Sequence, residues 1–164
     1  MSSEKAGLPD APRPQGDYVP AVIAPCDPGL HLVTSAGMTP RRDGTLTVTG
    51  LVGRDVDLTA ARDAAGLAAR NAVSAVAAAA GGPERIRTWL RMTVYVACDD
   101  GVTELSAVAD GASAALAELT PDAALPARSA IGVRALPGGA PVEVELTALA
   151  LVPQTAAPQE SEDR

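Results

Sequence analysis

The residues best suited to chemistry lie near the end of the chain, in Pro126-Ala127-Arg128-Ser129-Ala130-Ile131-Gly132-Val133 and Val142-Glu143-Val144-Glu145. Both segments read as strands, and side chains along a strand point alternately to its two faces. In the first, Ile131, Val133 and Ala135 share one face, and Arg128 and Arg134 share the other. In the second, Val142, Val144, Leu146 and Ala148 form an apolar face opposite Glu143 and Glu145. Two arginines and two glutamates are thereby expected on non-core faces. The plain interpretation is a solvated sheet face with cross-strand ion pairs, and the pattern alone favours it. Arg128 differs in opening its strand just after Pro126, where a side chain projects readily into a cleft. Its guanidinium is also the side chain best matched to a bidentate carboxylate.

Other chemistries lack a signature. The single histidine, His31, sits inside an apparent strand, where a buried or rim histidine is a better reading than a catalytic base. A zinc site needs several Cys or His ligands at short spacing, and no metal is expected. There is no GxxxxGK[S/T] phosphate loop, because the glycine pairs fall at turns and helix ends. No cofactor is expected either.

The elements that must position Arg128 follow from local signals. Tyr18–Ala24 is a short apolar run closed by the turn cluster Pro25-Cys26-Asp27-Pro28-Gly29. Leu30–Ala36 is a strand, and Leu46, Val48 and Leu51-Val52 form a further short one after Arg42-Asp43-Gly44. A long helix is predicted from Leu58 to about Ala80, with Asp57 as its N-cap and Gly81-Gly82-Pro83 as its stop. Leu58, Ala61, Ala65, Ala68, Ala72, Val76 and Ala80 make its buried stripe. Strand Arg85–Ala97, helix Thr103–Leu119, and strands Ala127–Leu136 and Val142–Val152 complete an order ββ(β)αβαββ. The last two strands are expected to form a hairpin about Pro137-Gly138-Gly139-Ala140. The fold class is α+β, two helices layered on a mostly antiparallel sheet.

Composition limits the partners. Hydrophobic residues are 47% of 164, but with no Phe, one Trp and two Tyr most of them are small. At ~25 cal/mol per Å² an alanine-built core is thin, which favours burial between subunits. The net charge is −7 with Lys5 the only lysine, unlike the clustered basic surface of a nucleic-acid binder; a small basic pocket remains compatible with it. There is no secretory signal and no run of ~20 apolar residues, so no membrane association and a soluble, cytoplasmic chain are expected, with Cys26 and Cys98 as buried, reduced thiols. Residues 1–16 read as an N-terminal arm, 17–152 as the domain and 153–164 as a disordered tail.

The chain also resembles the RidA (YjgF) family of reactive-intermediate deaminases over roughly residues 8–152. The resemblance is carried by Gly16-Asp17-Tyr18-Val19-Pro20-Ala21-Val22, Leu32-Val33-Thr34-Ser35, the P-A-R-S run at 126–129 and Leu136-Pro137 with Val142-Glu143-Val144-Glu145. The T-V-Y-V-A run at 93–97 and V-A-D-G-A-S at 108–113 fit as well. The resemblance implies a chorismate-mutase-like homotrimer with a cleft at each subunit boundary. It implies hydrolysis of enamine or imine acids to 2-keto acids and ammonia, with a small carboxylate-bearing substrate. Arg128 would anchor the carboxylate, Glu143 would position or activate water, and Tyr18 and Ser35 would line the cleft. Two departures bear on the substrate. Ala130 stands where many members have Cys, and Gly37-Met38, after an extra Ala36, replaces the usual Gly-Gln.

With a hairpin at Gly138-Gly139, Glu143 falls beside Arg134, about six residues and on the order of 20 Å from Arg128. That is too far for one water. Either the two meet from different subunits or through a bend, or Glu143 stands outside the site. The expected activity is imine/enamine deamination. The alternatives are a non-catalytic carboxylate-binding or regulatory trimer, a specialised biosynthetic step and, least suited to the acidic balance, a ribonuclease.

Overall fold

The computed structural model describes residues 8–14 and 16–152. The tail at 153–164 and the first seven residues of the arm lie outside the described residues.

Helix α1 (Leu58–Ala80) forms where its caps predict it. The Asp57 carboxylate accepts from Ala60 N at 2.8 Å, and Gly81 closes the helix at φ 84°. Every member of the expected stripe after Leu58 is buried. Helix α2 (Leu105–Leu119) packs on α1, and the contact requires glycine at 111. A Cβ there would lie 2.0 Å from the backbone oxygen of Arg62, so the two helices cross almost backbone to backbone.

The sheet has strands β1 (Ala21–Asp27), β2 (Leu30–Ser35), β5 (Ile86–Ala97), β6 (Ala127–Val133) and β7 (Val142–Leu151), in spatial order β1-β2-β7-β5-β6. Its pairs are antiparallel except β5 with β6. Strands β3 (Arg41–Arg42) and β4 (Thr45–Leu46) form a separate small hairpin, turned by Asp43 at φ 50° and Gly44 at φ 79°. Leu51-Val52 makes no strand; Val52 bridges only to Val56 and Cys98. Strand β1 begins at Ala21 rather than Tyr18 and runs through Pro25, which an edge strand tolerates.

The expected hairpin between the last two strands does not form. Strand β6 leaves α2, and a strand reached through a crossover helix from its neighbour runs parallel to it. Residues 134–141, with a tight turn at Pro137–Gly139, then carry the chain past β5 to its far side.

Both helices cover one face of the sheet. There Val33, Met92, Val94, Val96, Val142, Val144, Leu146 and Ala148 are buried with the alanines of α1 and α2. Trp89 Nε1 donates to Thr120 Oγ1 at 2.8 Å, tying the end of α2 to β5. The assignment of faces along β6 is reversed from expectation. Arg128, Ala130 and Gly132 stand opposite the buried Met92, Val94 and Val96, toward the helices, whereas Ile131 lies on the other face at 42% exposure.

That other face carries no helix among the described residues. It presents Leu32, Leu149 and Ile131 beside Thr34, Thr147, Tyr95, Glu143 and Glu145. No helix is long and apolar enough to cross a membrane, among the described residues. Both cysteines are free; Cys26 is exposed, not buried as expected, because β1 is an edge strand, and Cys98 is half-buried.

Candidate functional site

Arg128 emerges from β6 directly under α2 and meets a polar stripe on that helix. Ser106, Asp110 and Ser113 lie at positions i, i+4 and i+7, hence on one face. One terminal nitrogen, Nη1, donates to Asp110 Oδ1 at 2.9 Å and Ser113 Oγ at 2.8 Å. The other, Nη2, donates to Ser106 Oγ at 2.9 Å and to the Ser106 carbonyl at 3.4 Å. Each terminal nitrogen of the guanidinium thus has two acceptors on α2. The Arg128 side chain is 20% exposed and Asp110 51%. Arg128 is thus an ion-pair partner, as the plain interpretation had it, but of a helix carboxylate and not of a cross-strand glutamate.

Glu143 belongs to a different cluster. It stands opposite Tyr95, which in turn stands opposite Ile131. Arg128 is three residues along from Ile131, so the two backbones are roughly 10 Å apart along the strands and roughly 10 Å apart across them. Their side chains also leave opposite faces of the sheet. Within one chain Arg128 and Glu143 do not meet.

Around Glu143 the local structure is specific. The turn after β2 is clamped to β7 by paired bonds, Met38 N to Val144 O and Val144 N to Met38 O, each 2.9 Å. This lays the Glu143 side chain over Gly37, where a Cβ would come within 2.0 Å of Oε1. Burial pushes the Glu143 carboxyl above its ordinary pKa, and the neighbouring Glu145 pushes the same way. Tyr95 Oη donates to Glu145 Oε2 at 3.1 Å. Its pKa is raised by burial first and by the Glu145 charge second. A carboxyl group drawn from water in this way holds its proton more readily, as acid-base chemistry near neutrality needs.

Ser35 is buried, and its Oγ accepts from Leu146 N at 3.0 Å, so the hydroxyl fastens β2 to β7. Tyr18 is 42% exposed in the segment leading to β1, and Ala36 N donates to Pro20 O at 2.8 Å. The segment at Tyr18, the turn Ser35–Met38 and the Glu143 pair therefore gather at one corner of the sheet, while Arg128 lies elsewhere. His31 is half-buried, with Nδ1 lacking a hydrogen-bond partner among the described residues. No metal-holding group of three or more His, Cys, Asp or Glu occurs among them.

The residues missed from sequence are Ser106, Asp110, Ser113 and Tyr95. The first three were legible as polar positions at helical spacing opposite the apolar stripe of α2. Tyr95 was hidden in a valine-rich strand, because its role depends on which strand lies beside it.

Comparison with known proteins identifies the family. A family model described as Endoribonuclease L-PSP matches residues 9–150. Protein TCP17 of Trypanosoma cruzi is 35% identical over 139 residues, covering 84% of each chain. Among solved structures, Atu1372 of Agrobacterium tumefaciens, itself of unknown function, is 35% identical at TM-score 0.78, over 87% of this chain and 85% of that one. TdcF of E. coli, solved with bound serine, is 25% identical at TM-score 0.57, over 86% of this chain and 92% of its own. With its order of elements, its two helices on one sheet face and this match over nearly its whole length, the chain belongs to the Endoribonuclease L-PSP family, the YjgF/RidA family.

Proposed function

We propose that this protein hydrolyses reactive imine and enamine acids derived from small amino acids, at a site completed between copies of the chain in a homotrimer. The carrying observation is the state of Glu143, a carboxyl group withdrawn from water and raised in pKa beside the Gly37 turn. Family membership supports the reading, and the serine bound to TdcF is a small carboxylate of the expected size. Because Arg128 and Glu143 leave opposite faces, a shared substrate needs Arg128 from one copy and Glu143 from another.

In the reaction, water adds to the C=N carbon, the carbinolamine loses ammonia, and a 2-keto acid remains. Arg128 fixes the substrate carboxylate through its guanidinium, already oriented by Ser106, Asp110 and Ser113. Glu143 takes a proton from the attacking water and returns it to the leaving nitrogen. Tyr18 lines the cleft, and Ser35 holds the strand that carries Glu143. Such intermediates hydrolyse unaided, so orientation supplies most of what the site must add.

The test is ammonia release from an imino acid generated in situ by an amino-acid oxidase. Arg128→Ala and Glu143→Gln should each bring the rate to that of buffer, and Arg128→Lys should rescue poorly because a point charge lacks the fork. Wild-type rates in the Arg128→Ala variant would remove Arg128 from the site. Two observations favour a second reading, carboxylate binding without turnover: both terminal nitrogens of Arg128 already have acceptors on α2, and Ala130 offers no thiol. Arg128-dependent binding of a 2-keto acid with no acceleration of hydrolysis would establish it.

A further inference from the structure

A concave feature of the surface shares no residue with the Arg128 or Glu143 clusters. It is a cavity of about 730 Å³ bounded by residues 9–13 of the arm, the β3–β4 hairpin and the middle of α1. Helix α1 builds its walls. The buried Ser74 Oγ donates to Pro9 O at 2.5 Å and holds the arm. Asn71 Nδ2 donates to Thr39 O at 3.1 Å and Arg41 O at 3.0 Å and holds the hairpin.

Four arginines line it, Arg13, Arg41, Arg42 and Arg70, against two carboxylates, Asp10 and Asp43. Counting Glu118, which pairs with Arg70, the local balance is 4 − 3 = +1 in a chain whose net charge is −7. Arg41 is braced by Thr39 Oγ1 and the Gly44 carbonyl, and Arg70 by Glu118. The side chains of Arg13 and Arg42, from different elements, have no hydrogen bond or ion pair with another described residue. Gathering like charges in a concave site costs energy unless an anion joins them.

We propose that this cavity binds a small phosphate ester that carries hydroxyl groups and no aromatic ring. A carboxylate is satisfied by one guanidinium fork, whereas a tetrahedral dianion accepts two forks arriving from separate walls, as Arg13 and Arg42 do. Asp10 and Asp43 repel a second anionic group and accept hydrogen bonds from hydroxyls. Among the described residues the lining has no aromatic side chain, so a nucleobase has nothing to stack on, which also sets RNA aside. The volume falls within the ~300–1,000 Å³ of small-molecule sites.

Isothermal titration of the full chain with glycerol 3-phosphate, inorganic phosphate and AMP tests this. Glycerol 3-phosphate should bind more tightly than either of the others, and Arg13→Ala with Arg42→Ala should weaken it about tenfold or more. Both arginines are exposed, so the double variant should keep its melting temperature and its imine hydrolysis, and Arg128→Ala should bind glycerol 3-phosphate unchanged. The proposal is overturned if no phosphate binds at ~10 mM, about ten-thousandfold above a micromolar Kd. Binding that survives the double variant, or that disappears in Arg128→Ala, overturns it too. AMP or a short RNA binding more tightly than glycerol 3-phosphate would do the same.

Discussion

Asp110 is a carboxylate already seated on the guanidinium proposed to receive the substrate's carboxylate. It orients the fork, and it also competes for it. Asp110→Asn keeps the shape and one acceptor oxygen but removes the charge. The expected result is a KM for imino acids several-fold lower at similar kcat, with about 0–1 kcal/mol lost in stability because the pair is partly exposed. An unchanged KM would mean that substrate never contests this contact. Glu143 allows a separate prediction from pH. Its pKa is raised in the folded chain, so the fold favours the protonated form. Its contribution is fully present below the ordinary glutamate pKa and is lost as pH rises through the raised value. At pH 7.5 Glu143→Gln should therefore melt slightly higher than wild type, on the order of 1–2 °C. The gap should close on acidification below the glutamate range. A variant that melts lower at pH 7.5 would show that the charged form is stabilised.

At the scale of elements, two glycines do different work. Gly111 lets α1 and α2 cross, and an added Cβ would strike backbone, the Arg62 oxygen. Backbone cannot give way cheaply, so Gly111→Ala should cost about 1–3 kcal/mol, seen as a melting temperature lower by several degrees. At Gly37 the added Cβ would strike the carboxylate end of Glu143, a flexible side chain that can swing aside. Gly37→Ala should leave melting nearly unchanged yet depress ammonia release, because it displaces Glu143 from its place. Equal melting losses in both variants would contradict this division between a packing glycine and a site glycine.

For the molecule as a whole, the uncovered sheet face matters most. Leu32, Leu149 and Ile131 sit there beside half-buried polar groups, and no described element covers them. A second copy is the partner that the proposed site needs. Light scattering should therefore give three times the 16.5 kDa chain mass. Ile131→Asp, which places a charge on that face, should release monomers and abolish hydrolysis while helical content is kept. A wild-type monomer at micromolar concentration would remove both the trimer and the shared site.

Helix α1 was legible to the residue, since its cap, its stop and its stripe all arise from local chemistry at Asp57, Gly81 and the small side chains between them. The α+β class and the order of the longer strands and helices followed from the same local signals; the β3–β4 hairpin did not. Arg128 and Glu143 could be singled out by residue type, alternation and family resemblance. What they touch could not. Alternation along β6 reports two faces without saying which is covered, and on an apolar basis Ile131 belongs to the core. The tertiary structure reversed that by setting β6 parallel to β5 beneath α2, because a crossover helix brings its strand back in the same direction. It thereby turned Arg128 toward Asp110 and left Ile131 on the open face. Neighbours within a helix turn or along one strand are set by spacing in the chain. Neighbours across a sheet depend on how distant strands are ordered, and that order exists only once the chain has folded.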